Sequence, residues 1–250
     1  MREVQKESFP EMIRWARQAA GDSVYPLSIA EGVQSGRIFT DDRAYLFWHH
    51  CGFAYLAGRP DAQFLSEVEN MILQTDPQKQ RFLLITDLAE ICAYFAKNPM
   101  IQTEFRKYYV FYHALPEPVL PDGYTLKKLD AALTEQLSGR IVPAWSWKDT
   151  EQFLQAGTGF CVMKGAEPAA WAFSAAVTSD TIDIGVETAP AYRKKGLATC
   201  AAAAVMQDGC AQGKRLVWAH HAANEGSMKT AEALGFTINR ACAVLHRADK

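Results

Sequence analysis

Three prolines within six residues, Pro116, Pro118 and Pro121, place the strongest constraint on how this 250-residue chain can fold. Proline lacks a backbone N–H and fixes φ, so the stretch 115–121 can lie neither inside a helix nor in a central strand. Read as a linker, it divides the chain into residues 1–114 and 122–250. A length of 250 residues suits one large domain or two small ones. No repeat of solenoid period is visible.

The N-terminal part predicts a helix over 11–20 and one or two strands over the aromatic run 43–58. Apolar spacing predicts a helix over 63–74, a buried strand over 81–88 and a helix over 89–96. The aromatic, β-branched run 107–113 predicts another strand. This is an α+β pattern in which nothing announces chemistry. The second part predicts a strand over 124–129 and helices over 131–138 and 149–155. Strands follow over 159–163, 169–176 and 181–188, then a long helix over 196–211. A strand over 215–219, a helix over 227–234 and a strand over 237–246 complete it. The fold class is α+β throughout.

Charge and cysteine usage narrow the class further. Lys and Arg total 26 against 28 Asp and Glu, a net charge of −2. A generic nucleic-acid or membrane-surface binder usually carries a basic excess, so neither partner is expected. The six cysteines are dispersed, with no CxxC pair, which argues against a disulfide scaffold and against a metal site. The N-terminal MREVQKESFP lacks the apolar core of a signal peptide, and no apolar run reaches about 18 residues. The expectation is a cytoplasmic protein with reduced thiols.

The informative segment is the apolar strand 181–188 followed by a Pro-containing turn, then Arg193-Lys194-Lys195-Gly196-Leu197-Ala198-Thr199 and an alanine-rich helix. A helix N-terminus presents free N–H groups and a partial positive charge to an anion. Gly196 and Ala198 let an anion approach the backbone, and three cations stand beside it. Neither GxxxxGK[ST] nor GxGxxG is present, so this is neither a P-loop nor a dinucleotide fingerprint. About thirty residues on, a strand leads to Asn224-x-x-Ser227 and a short helix that ends Leu234-Gly235-Phe236.

These two segments resemble the acyl-CoA motifs of the GNAT N-acetyltransferase superfamily. Its first motif, R/Q-x-x-G-x-G/A, is matched by Arg193, Gly196 and Ala198. Its N-x-x-S/A and later L-G-F are matched by Asn224, Ser227 and Leu234-Gly235-Phe236. With residues 24–32 (VYPLSIAEG) and 182–188 (IDIGVET), the chain resembles a bacterial subgroup that carries an extra N-terminal domain. That domain's strand, helix and aromatic strand are similar to half of the same fold.

The resemblance implies a C-terminal GNAT fold, a mixed and mostly antiparallel sheet with flanking helices and splayed central strands, preceded by a smaller α+β domain. It implies acetyl-CoA as cosubstrate and a small amine, metabolite or antibiotic, as acceptor. Val186 and Thr188 would contact pantetheine, residues 193–199 (Arg193, Lys194, Lys195, Gly196, Leu197, Ala198 and Thr199) the pyrophosphate, and Asn224 and Ser227 the region near the sulfur. Glu187 is the candidate base, with a strand-end charge as its bland alternative, and Ser227 is a candidate for proton handling. The family's usual tyrosine slot falls at Ala231, which leaves the acid unassigned. A homodimer is compatible with this reading. An acyl-CoA-binding regulator without turnover stands as the alternative.

Overall fold

In the computed structural model, residues 1–76 and 78–248 are described. They form two compact units: Met1–Tyr108 together with the C-terminal stretch from Arg240, and Tyr109–Asn239. The proline-rich stretch 115–121 carries no helix or strand and lies inside the second unit.

Unit 1 begins with a two-residue strand β1 (Arg2–Glu3), a 3-10 turn (Lys6–Met12) and the short helices α1 (Ile13–Ala16) and α2 (Val24–Ala30). The single helix expected over 11–20 is thus broken, with Pro10 inside the 3-10 turn. α2 was not expected. Its Pro26 sits in the first turn, where a missing N–H costs nothing. Next come β2 (Gly36–Thr40), β3 (Ala44–His49) and β4 (Phe53–Gly58), an antiparallel meander, followed by α3 (Ala62–Gln74) and β5 (Leu83–Thr86). Asp61 caps α3 by accepting from the Phe64 N–H at 2.9 Å. β5 lies parallel to β4 for three rungs, Phe53↔Leu83 to Tyr55↔Ile85. α4 (Ala89–Phe95) and β6 (Ile101–Val110) follow. The core packs Phe64, Leu65, Val68 and Ile72 of α3 and Ile91 and Phe95 of α4 against the sheet.

Unit 2 contains β7 (Thr125–Lys128), α5 (Ala131–Gln136), α6 (Thr150–Ala156), β8 (Gly159–Lys164), β9 (Glu167–Val177), β10 (Thr181–Thr188), α7 (Leu197–Ala211), β11 (Arg215–His221) and α8 (Glu225–Ala233). β7 to β10 form an antiparallel meander. α7 buries Ala201, Ala202, Ala203 and Ala204, and these short side chains let the helix lie close to β9 and β10. Gly209 serves the same closeness, because a Cβ there would stand 3.0 Å from the Ile182 side chain. Trp147 is fully buried, its indole N–H donating to the Ser174 carbonyl at 2.9 Å, so the Trp145-Ser146-Trp147 turn anchors the core. The last strand, β12 (Thr237–Arg247), starts in unit 2. Its residues 243–245 pair antiparallel with β5 in unit 1.

The order strand-strand-strand-helix-strand-helix therefore occurs twice, as β2-β3-β4-α3-β5-α4 and as β8-β9-β10-α7-β11-α8. Each copy has an antiparallel meander and then a parallel step of three rungs.

Candidate active site

The site is built on the parallel step of unit 2. β10 and β11 pair at Thr181↔Arg215, Ile182↔Leu216 and Asp183↔Val217, and there the ladder stops, although β10 runs on to Thr188 and β11 to His221. β10 keeps its other neighbour, β9, as far as Thr188↔Ala170, with a register shift between Asp183 and Ile184. The extra residue, Ala175, lies on β9, so a bulge in β9 stands opposite the point where β10 and β11 part. The expected splay is present.

Backbone direction within the splayed half follows from one hydrogen bond. Ala189 donates to the Ala169 carbonyl at 3.0 Å. In an antiparallel pair, hydrogen-bonded and non-bonded residues alternate. Glu187 and Gly185 therefore turn their backbone groups toward β9, whereas Val186 and Thr188 turn theirs into the wedge between β10 and β11.

Beyond β10 a 3-10 turn (Pro190–Tyr192) leads to Arg193, Lys194, Lys195 and Gly196, all exposed. Lys194 and Gly196 have φ of 62° and 72°. An L side chain in this region costs about 1–2 kcal/mol, which Lys194 bears and Gly196 avoids. α7 starts immediately after, with Gly196 as N-cap and no side chain accepting from its first turn. A Cβ at Gly196 would meet nothing within 4 Å. The start of α7 is thus left open, unlike that of α3, where the Asp61 carboxylate already holds an N–H. Leu197 is buried and pins the first turn to the core, while Ala198 and Thr199 are half-buried. Arg193 Nε donates to the Thr188 carbonyl at 3.4 Å, and Lys195 Nζ lies 3.4 Å from the Tyr124 hydroxyl.

Across the wedge, Asn224 caps α8, its Oδ1 accepting from the Ser227 N–H at 3.1 Å. The helix starts at Glu225, two residues before the expected entry. Ser227 Oγ accepts from the Trp218 indole N–H at 3.0 Å, which ties α8 to the splayed half of β11. Ala231 is fully buried. Tyr109 and His220 are both buried, with the hydroxyl 3.2 Å from His220 Nε2. His220 Nδ1 lies 2.8 Å from the His221 carbonyl, so Nδ1 carries the proton and Nε2 accepts from the phenol.

Glu187 projects from the other face of β10, together with its cross-strand partner Trp171. Its Oε2 accepts from the Ile141 N–H at 2.5 Å, and the Trp171 indole donates to the Ile141 carbonyl at 2.7 Å. The structure therefore joins Val186 and Thr188 to the 193–199 turn on one side of the wedge. Asn224 and Ser227 stand together on the other, and Glu187 faces the loop between α5 and α6. Nothing in the sequence pattern pointed to Trp171 or Ile141, because their meeting depends on strand register.

Among the described residues, no cluster of three or more His, Cys, Asp or Glu side chains could hold a metal ion, and no helix is long and apolar enough to cross a membrane.

The site is thus a mixed sheet whose central parallel strands part beside a bulge, with an open helix start directly after the first of them. A GNAT acetyltransferase family model matches residues 20–245, and the chain belongs to that family. Membership implies acyl-CoA-dependent acetyl transfer. A GCN5-related N-acetyltransferase-like protein from Streptococcus suis shares the fold at 22% identity, with a TM-score of 0.77 over 97% of this chain and 99% of that one. A Drosophila protein aligns at 16% identity, TM-score 0.64, over 99% and 98% of the two chains. A tandem GNAT protein from the clavulanic acid biosynthesis pathway aligns at 13% identity, TM-score 0.52, over 86% and 79%. Curated protein sequences gave no match.

Proposed function

We propose that this chain transfers an acetyl group from acetyl-CoA to the amine of a small molecule, a metabolite or an antibiotic, by direct attack. One observation carries the reading: β10 runs on past the end of its ladder with β11, and the uncapped, cation-flanked start of α7 follows it directly in the chain. Acetyl-CoA would supply an activated thioester there. The free N–H groups of Leu197, Ala198 and Thr199, with Arg193, Lys194 and Lys195, would hold a pyrophosphate. Val186 and Thr188 would hydrogen-bond an amide-bearing arm as a strand partner does. The Val186 N–H, which turns away from β9 into the wedge, would stabilise charge developing on the carbonyl oxygen.

An alkylammonium has a pKa near 10 and must lose a proton to attack. Glu187 is the carboxylate on the splayed strand. Its Oε2 is held by Ile141, which leaves Oε1 to accept that proton. Ser227 accepts from Trp218 and so keeps its own O–H to donate toward the departing sulfur. The Asn224 side-chain NH₂ is left for the cofactor arm. We take the first part of the chain as an accessory α+β domain of a bacterial, cytoplasmic enzyme.

The test is release of free thiol from acetyl-CoA with a panel of amines, aminoglycosides and peptides. Acceptor-dependent release supports the proposal. Thermal stabilisation by acetyl-CoA without release for any acceptor points to the regulator instead.

A further inference from the structure

The loop between α5 and α6 is gripped at a single residue, Ile141, through both its N–H and its carbonyl. Glu187 and Trp171 stand directly opposite each other on β10 and β9. Glu187 Oε2 takes the N–H of Ile141 and the Trp171 indole takes its carbonyl. Trp171 is buried and cannot swing away without leaving the core. Two residues before Ile141, Gly139 has φ of 142°, and a Cβ there would lie 3.0 Å from Glu187 Cδ and 3.2 Å from both carboxylate oxygens. The position combines a backbone conformation that disfavours side chains with a close approach that excludes them. On the same face, Phe173 meets Phe153 of α6 edge-on at 6.1 Å. The loop therefore lies over β9 and β10 on the face from which Glu187 projects.

We infer that Glu187 and Trp171 act as positioning residues that clamp residues 139–141 into a fixed wall of the acceptor side. Each carboxylate oxygen then has a separate task, Oε2 shaping the wall and Oε1 meeting the amine. The inference takes its functional meaning from the acetyl-transfer reading, but its geometry can be tested without any acceptor. Arg140 is exposed, and the bond after it, Arg140–Ile141, is the one whose N–H Glu187 holds. Trypsin cleavage at that bond in the full-length protein, read by mass spectrometry of the new termini, reports whether the clamp is closed.

Cleavage is expected to be slow in the wild type. It should be about tenfold faster or more in Glu187→Ala, since a hydrogen bond to a charged group is lost. Gly139→Ala should open the loop in the same way while leaving Glu187 and Trp171 intact, and it carries the test should Glu187→Ala fail to fold. Glu187→Gln retains an acceptor oxygen but cannot take a proton, so it should keep the wild-type cleavage rate while turnover falls. Equal cleavage in wild type, Gly139→Ala and any folded Glu187→Ala would overturn the clamp. So would a Gln variant that opens as fast as Ala. Thermal stabilisation by acetyl-CoA, measured in parallel, separates the two ideas. Loop release without cofactor binding sinks the acetyl-transfer reading and leaves the clamp standing, and cofactor binding without loop release does the reverse.

Discussion

Replacing Gly196 by glutamate probes the start of α7 with two effects that separate cleanly. The first is backbone strain. Gly196 sits at φ 72°, where a side chain costs about 1–2 kcal/mol. For a chain of this size, that lowers Tm by roughly 2–8 °C. No steric penalty adds to it, because the new Cβ meets nothing within 4 Å, so the variant should fold. The second effect is electrostatic. A carboxylate about 4 Å from a pyrophosphate charge is repelled by about 4 kcal/mol at an effective dielectric near 20. Screening at this exposed turn reduces that, and a loss of about 10²-fold in CoA affinity is expected. Gly196→Ala carries the strain without the charge and should lose about tenfold or less. Differential scanning fluorimetry gives the Tm values, and isothermal titration with CoA gives the affinities. A folded Gly196→Glu protein that binds CoA within threefold of wild type would show that the pyrophosphate does not sit at this helix start.

Asn224→Ala removes the α8 cap accepted from the Ser227 N–H and should cost about 1 kcal/mol in denaturant unfolding; no loss would show that the cap carries no energy. His49 in β3 tests pH dependence. Burial pushes its imidazole down to about 3, and its Nδ1 accepts from the Cys51 N–H at 3.1 Å. The unfolded histidine titrates near 6.5. Stability from the neutral ring is therefore fully present above that value and lost as pH falls toward 3, by about 1.4 kcal/mol per unit. His49→Gln should lose roughly 2–3 kcal/mol less stability than wild type between pH 7 and pH 4.5, and identical slopes would contradict the burial argument. Residues 122–250 expressed alone strip β12 of β5, its partner across Ala243, Val244 and Leu245. Poor chemical-shift dispersion is expected, and a well-dispersed spectrum would refute that dependence.

The strand, turn and helix around residues 181–199 could be read because each feature is local: an apolar strand, a proline turn, consecutive cations and a glycine before alanines. The cap at Asn224 and the stop at Gly235 were legible for the same reason. α2 was hidden by Pro26, which signals a break unless its place in the first turn is known. β6 starts at Ile101, six residues ahead of the aromatic run that revealed it, because its first half is mostly exposed and polar. The wedge itself has no sequence signature beyond the resemblance: it arises where a ladder ends beside a bulge. The meeting of Glu187, Trp171 and Ile141 rests on cross-strand register and a glycine conformation, neither of which a linear pattern displays.

The return of β12 to β5 also sets an order of events during synthesis. Unit 1 supplies the first residues of the chain and waits for some of the last. Between the appearance of Thr86 and that of Ala243, the ribosome must add residues 87–242, which takes roughly 8–30 s at ordinary elongation rates. Throughout that interval the β5 edge destined for β12 has no partner. An unpaired edge is a template for another strand. The β5 edge is therefore the part that a nascent chain must shield longest from its neighbours on the same messenger RNA.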